Sequence, residues 1–237
     1  MSVEKQLEIE KKFQEVFNDE FFQNHLNSED YHKYLKSKKI LNFAKGDVLF
    51  DDGEPPKGVY FIEKGNAKLS KSGVYGKDQI LRIIKKGDII GYRSLLCNEN
   101  FQAKAEAMTD LKVAFVPSEV FLQLLEADSR LSFMMLQKIA YELGESSNTI
   151  TFLAQKTVRE RLAEILLLLE LKIGTDPEGF IKISLTREEI ANLIGTATES
   201  AIRLISEFKN DHLIEVEGRN IKIINHDKLK KLGHVLL

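Results

Sequence analysis

Thr186-Arg187-Glu188-Glu189-Ile190-Ala191-Asn192-Leu193-Ile194-Gly195-Thr196-Ala197-Thr198-Glu199-Ser200-Ala201-Ile202-Arg203-Leu204-Ile205 is the stretch that decides the fold of this chain. Thr186 to Glu189 has the form of a capping box: the threonine hydroxyl accepts a helix-start amide, and Glu189 reaches back to the cap. Ile190, Leu193 and Ile194 supply one buried face, and Gly195 permits the tight turn between two closely spaced helices. Thr196-Ala197-Thr198-Glu199 has the form of a second capping box and opens a helix running to about Lys209. Ala201, Leu204, Ile205 and Phe208 make its inward stripe, while Thr198, Glu199, Ile202, Arg203 and Ser206 face outward. Those outward types suit a DNA major groove. Arginine donates in a fork to guanine, glutamate accepts from cytosine, and apolar groups meet the thymine methyl.

Leu213-Ile214-Glu215-Val216 and Asn220-Ile221-Lys222-Ile223-Ile224 flank Glu217-Gly218-Arg219, a hairpin with the form of a wing and with Arg219 at its tip. A helical hairpin used only for packing would share the two capped helices and the glycine turn. The added hairpin and the outward Arg203 favour DNA binding.

Upstream, the apolar period is again helical from Val158 to Leu171, and Gly174-Thr175-Asp176-Pro177-Glu178-Gly179 is a loop before a short strand at Phe180 to Ser184. A long helix is expected from about Ser129 to Leu153. Met135, Ile139, Leu143, Ser146, Ile150 and Leu153 recur on it as the seam of a coiled-coil dimer; a core-facing helix within one subunit has the same pattern. Position between two regions of different texture favours the dimer. Ser118, just past Pro117, is read as the cap of a helix at Glu119 to Glu126.

From about Ile40 to Val116 short apolar runs alternate with glycine. Val48 to Phe50, Val59 to Ile62, Ala67 to Leu69, Ile80 to Ile84 and Val113 to Val116 read as strands of a sandwich, roll or barrel. Lys45-Gly46-Asp47-Val48-Leu49 and Lys86-Gly87-Asp88-Ile89-Ile90 echo each other, as two hairpins of one roll would. Leu7 to Leu26 carries a helical spacing and reads as one or two short helices.

The totals set limits. With 237 residues, 43% hydrophobic and 30% charged, the chain is of ordinary globular composition. Net charge is −2, so any DNA contact must come from a local basic face. The longest apolar run, Ile165 to Leu169, is too short to span a bilayer, and the N-terminus does not read as a signal peptide; a cytoplasmic protein is expected, with no membrane partner. Cys97 is the only cysteine, which excludes an intramolecular disulfide and a four-cysteine iron–sulfur or zinc site within one chain. The five histidines are scattered, so no metal site and no cofactor are expected. Haem stays formally open, since one histidine suffices as an axial ligand, although nothing singles one out. No catalytic motif stands out, and an enzyme is not expected.

The Thr186 to Gly195 stretch, with Thr198-Glu199 and Arg203-Leu204, resembles the helix-turn-helix signature of the Crp–Fnr regulator family. Gly46-Asp47-Val48-Leu49, Tyr60-Phe61-Ile62 with Gly65, and Gly87-Asp88-Ile89-Ile90-Gly91 resemble its cyclic-nucleotide-binding-type β-roll. The resemblance runs from about Leu26 to Ile224. It implies an α+β chain: an N-terminal arm (1–27), a β-roll sensor domain (28–126), a dimerisation helix (127–155) and a winged-helix DNA-binding domain (156–237). It further implies a homodimeric transcription regulator on a pseudo-palindromic site of double-stranded DNA, acting with RNA polymerase. Thr198, Glu199, Ile202 and Arg203 are expected at base edges, and Thr186, Arg187, Ser200 and Arg219 at phosphates. Many relatives cap the recognition helix with Ser or Thr where Ala197 stands here, so Thr196 or Thr198 is expected to serve.

Family members that bind cyclic AMP hold it with a Gly-Glu pair and, about ten residues on, Arg-Ser. Here Tyr92 replaces the glutamate, Gln102 the arginine and Ala103 the serine. Tyr92, Arg93, Gln102 and Ala103, with Ser146 and Ser147 where relatives touch the nucleobase, are the candidate effector residues. A buried phosphate without its cation is poorly compensated, so the expected signal is not conventional cyclic AMP. For Arg93 a surface or intersubunit salt bridge is the favoured reading. The alternative function is a ligand-sensing or interaction protein whose winged helix no longer binds DNA.

Overall fold

The computed structural model describes residues 8–13, 18–73 and 76–235. These residues form two compact units that divide at Leu143 and Gly144. In the first, residues 8–13 are helical, followed by α1 (Asp19–His25) and α2 (Ser28–Ser37). The strands are β1 (Lys39–Phe43), β2 (Val48–Phe50), β3 (Gly58–Lys64), β4 (Ala67–Ser72), β5 (Asp78–Ile84), β6 (Ile89–Ile90), β7 (Lys104–Ala107) and β8 (Leu111–Pro117). A short helix α3 (Tyr92–Leu96) separates β6 from β7; α4 (Ser118–Ala127) and α5 (Ser129–Gln155) follow β8.

The strands form two four-stranded antiparallel sheets, ordered β1-β8-β3-β6 and β2-β7-β4-β5. This is the β-roll the resemblance implied. Its central strand explains the unbroken apolar run Val59 to Ile62. Tyr60 and Ile62 point into the core between the sheets, with Phe50, Ile84 and Val113. Val59 and Phe61 point the other way, against Phe22, Tyr34, Phe121 and Leu131 of the helices. Both faces of β3 are covered, so alternation disappears from its sequence.

The two echoing Lys-Gly-Asp turns have the same geometry. Gly46 and Gly87 take φ of +94° and +88°, a left-handed conformation that side chains disfavour. In each, the aspartate carboxylate accepts from the amide three residues back: Ala44 N to Asp47 Oδ2 at 2.7 Å, and Lys85 N to Asp88 Oδ2 at 2.9 Å. The sequence repeat is thus a repeated turn at two corners of the roll.

Residues 129–143 of α5 show two faces. Leu131, Met135 and Lys138 are buried against the roll, with Glu142 next on the same stripe. Leu136, Ile139 and Leu143 are 60%, 39% and 69% exposed. Met135 was expected in the seam; at 2% exposure it is packed between the roll and its helices instead, and the neighbouring Leu136 is the exposed side chain. The error is one of period. Steps of four from 135 to 139 to 143 drift across a helix of 3.6 residues per turn, whereas 131, 135, 138 and 142 stay on one face.

In the second unit, α6 (Val158–Ile173), α7 (Arg187–Ile194) and α8 (Thr198–Asn210) are followed by the hairpin β9 (Ile214–Glu217) and β10 (Asn220–Ile223), then α9 (His226–Gly233). Other departures from the sequence reading are local. The segment Phe180 to Ser184 is no strand: it makes only isolated bridges, Phe180 to Lys222 and Thr175 to Ile181. Pro117, not Ser118, stands at the N-cap of α4. Leu7, Val16 and Phe17 of the N-terminal helical pattern lie outside the described residues. The elements β1, β7, α2, α3 and α9 were not singled out, being short or largely polar. No helix among the described residues is long and apolar enough to cross a membrane.

Candidate nucleic-acid interface

The start of α7 is fixed by its own side chains. Glu189 N donates to Thr186 Oγ1 at 3.0 Å and Thr186 N to Glu189 Oε2 at 2.9 Å, closing both arms of the capping box. Gly195 ends the helix at φ +62°, where a β-carbon would be strained, and the chain turns directly into α8. Ala201, Leu204, Ile205 and Phe208 are buried, so the opposite face of α8 must look outward. On that face Glu199, Ile202, Arg203 and Ser206 are exposed and Thr198 partly so.

Arg203 is the most available of these. Its side chain is 74% exposed and its nearest carboxylate, Glu207, is 3.9 Å from Nε, so little binds the guanidinium in place. Ala197 is the N-cap of α8 and no side chain caps the helix. The second capping box expected from sequence is therefore not formed. The dipole of α8 favours an anion at this start. Thr186 and Ser200 are partly exposed beside the two helix starts.

The wing turns through two residues, since Glu217 pairs with Asn220, and Gly218 takes φ +59°. Arg219 is exposed at the tip. Arg187 is not: its Nη2 donates to Gly218 O at 3.0 Å, its Nη1 is buried without a partner, and burial lowers its pKa. Arg187 ties the start of α7 to the wing tip. Sequence reading also missed Arg159 of α6, which pairs with Glu207 at 2.9 Å and Asp211 at 2.7 Å and lies 5.0 Å above the Phe208 ring. It holds the far end of α8. No local signal marks such a residue, because its partners lie about fifty positions away in sequence.

The candidate effector residues divide. Arg93 and Gln102 meet at 3.1 Å, and Gln102 and Arg93 both donate to Glu99, at 2.9 and 3.3 Å. This is an exposed cluster in which Arg93 already has its surface salt bridge. Ala103 is partly buried beside Gln102, and Lys104 pairs with Glu106 at 2.8 Å. Tyr92 is elsewhere: its ring is buried between the roll and its helices and its hydroxyl donates to Glu142 of α5. Ser146 and Ser147 are exposed on the part of α5 belonging to the second unit.

Glu142 also pairs with Arg82 and with Lys138, the latter at 2.9 Å. Burial alone would raise its carboxyl, yet the Arg82 and Lys138 charges and the Tyr92 hydrogen bond bring it down to about 2. Burial and the Glu142 charge push the Tyr92 hydroxyl well above its ordinary value.

Two family models match the chain: the cyclic nucleotide-binding domain over residues 40–128 and the Crp-like helix-turn-helix domain over residues 160–232. The CRP-like cAMP-activated global transcriptional regulator of Mycobacterium tuberculosis is 25% identical over 198 residues, 83% of this chain and 88% of its own. The fumarate and nitrate reduction regulatory protein of Escherichia coli is 28% identical over 204 residues, 84% of this chain and 80% of its own. Among solved structures, a transcriptional regulator of the crp/fnr family from Eubacterium rectale aligns with a TM-score of 0.77 at 18% identity, over 90% of this chain and 97% of that one.

The depressed Glu142 carboxyl sets a pH dependence. Its contribution to stability is present above the unfolded carboxylate range and is lost as pH falls through that range toward 2. Glu142→Gln removes this titration, so the variant should start less stable at neutral pH and lose less on acidification. Near-UV circular dichroism against pH checks it; superimposable acid transitions for the two proteins would contradict the assignment.

Proposed function

This chain belongs to the Crp–Fnr family of DNA-binding transcription regulators, and from that premise we propose that it works as a homodimer reading a pseudo-palindromic site, with a β-roll answering to a signal other than free cyclic AMP. The observation that carries the reading is the outward face of α8. Four exposed side chains able to meet base edges, Glu199, Ile202, Arg203 and Ser206, stand on a helix held at its far end by Arg159 and followed by a wing. Thr198 begins that face. Arg219, Thr186, Ser200 and the uncapped start of α8 are the phosphate contacts, and Arg187 serves them indirectly by setting the wing tip. RNA polymerase is the further partner through which a DNA-bound regulator acts.

The dimer reading rests on α5. Leu136, Ile139, Leu143 and Ile150 are large apolar side chains left exposed at heptad spacing, with Ser146 and Leu153 continuing the row. A second copy of the same stripe covers them and presents two reading helices about one DNA turn apart, roughly 34–36 Å.

The signal reading rests on charge. The place of the phosphate's guanidinium is taken by the neutral Gln102, and the Arg93 guanidinium beside it is already engaged by the Glu99 carboxylate. Losing two charge-assisted bonds, each contributing about 1.5–3 kcal/mol, weakens binding on the order of a hundredfold or more.

Three measurements test these statements. In gel shifts on the genomic fragment bound most tightly, Arg203→Ala should lose roughly 1–3 kcal/mol and relax preference at one base pair, while Arg219→Ala weakens all sequences alike and reduces the salt slope by about 1. Equal specificity profiles for the two variants would refute the division of roles. Replacing both Ile139 and Leu143 with lysine should yield monomers or aggregates in sedimentation; an intact dimer would rule the stripe out. Calorimetry should detect no binding of cyclic AMP or cyclic GMP at millimolar concentration, and micromolar binding of either would overturn the signal reading.

A further inference from the structure

Glu142 stands where donors from three elements converge. Its Oε1 pairs with the Arg82 guanidinium from β5 and with Lys138 Nζ one turn back on α5; its Oε2 accepts from the Tyr92 hydroxyl of α3. Two of these donors are deeply buried, Lys138 at 6% and Tyr92 at 3% exposure. Arg82 keeps a further buried donor, Nε, with no partner. Two cations and a hydroxyl around one carboxylate have the composition of an anion-binding site, with capacity to spare. Residues 8–13 cover its flank. The Phe13 ring lies 5.5 Å from Lys138 Nζ, and Glu10 pairs with Lys85 at 3.2 Å and accepts from Tyr141 at 3.3 Å.

We propose that Arg82, Lys138 and Tyr92 form an anion site of the β-roll and that the Glu142 carboxylate is its built-in ligand. The contact between roll and α5 is then closed from within the chain and needs no diffusible anion to form it. Lys138 and Glu142 lie on the stripe of α5 that faces the roll, one residue from Leu143 on the outward stripe. The internal ligand therefore fixes which way that outward stripe faces. The proposal deepens the regulatory reading, since it says why the roll keeps its helix in place without a cyclic nucleotide. It makes the site latent: without the Glu142 side chain, it should accept a small carboxylate from solution.

The test is chemical rescue of the full-length chain without DNA, so its outcome is independent of the DNA-binding reading. Glu142→Ala should melt lower than the parent, with amide exchange in β5 and residues 131–142 accelerated about tenfold. Sodium acetate should restore both, sodium chloride at equal ionic strength should not, and the parent should respond to neither beyond the salt effect. Adding Arg82→Met should abolish the rescue. An alanine variant as protected as the parent, equal recovery in chloride, or recovery that survives Arg82→Met would each overturn the proposal. Should the alanine variant be insoluble, Glu142→Gln keeps the volume and opens no space. It should exchange faster than the parent and ignore acetate, and parental exchange rates or an acetate response would overturn the assignment.

Discussion

A helix of 3.6 residues per turn cannot present one row of side chains to two neighbours, and α5 carries two rows. Leu131, Met135, Lys138 and Glu142 face the roll, while Leu136, Ile139 and Leu143 face away. The first row is anchored by apolar packing at its start and by the Glu142 ion pairs at its end. Buried charges fixed by several partners contribute little net stability compared with apolar replacements, yet a wrong alignment leaves them unpaired. The polar end of the row thus favours one rotational setting of the helix, the one that leaves Leu136, Ile139 and Leu143 exposed.

The winged helix follows the same logic on a smaller scale. The capping box at Thr186, the left-handed Gly195 and the buried stripe of α8 are local, and they fix the angle at which α8 leaves the turn. Two long-range arginine contacts then hold the parts that local structure leaves loose: Arg159 on the end of α8, and Arg187 on the wing. Arg203 has only a long contact, 3.9 Å to Glu207, and its side chain stays 74% exposed.

Elements with strong short-range signatures were legible from sequence. The capped α7 and the amphipathic α8 after its glycine turn, the Gly218 hairpin, the long helix and the echoing Lys-Gly-Asp turns each declare themselves within ten or so residues. Long-range contacts were not legible. Tyr92 was aligned with a ligand-binding position, but its hydroxyl belongs to Glu142, fifty residues on, and nothing near Tyr92 announces that partner. Met135 was misplaced because a step of four is compatible with either face of α5 until the roll is present to choose. The absence of a cap on α8 was visible at Ala197, although neighbouring threonines suggested substitutes that the backbone does not use.

If two copies of α8 read DNA about a two-fold axis, the site they cover is an inverted repeat. Hydroxyl-radical footprinting of the parent protein on its tightest genomic fragment tests it most directly. Two protected half-sites of inverted sequence are expected, their centres one helical turn apart, about 10–10.5 base pairs. A single protected patch with no inverted counterpart, or no protection at low salt, would contradict it.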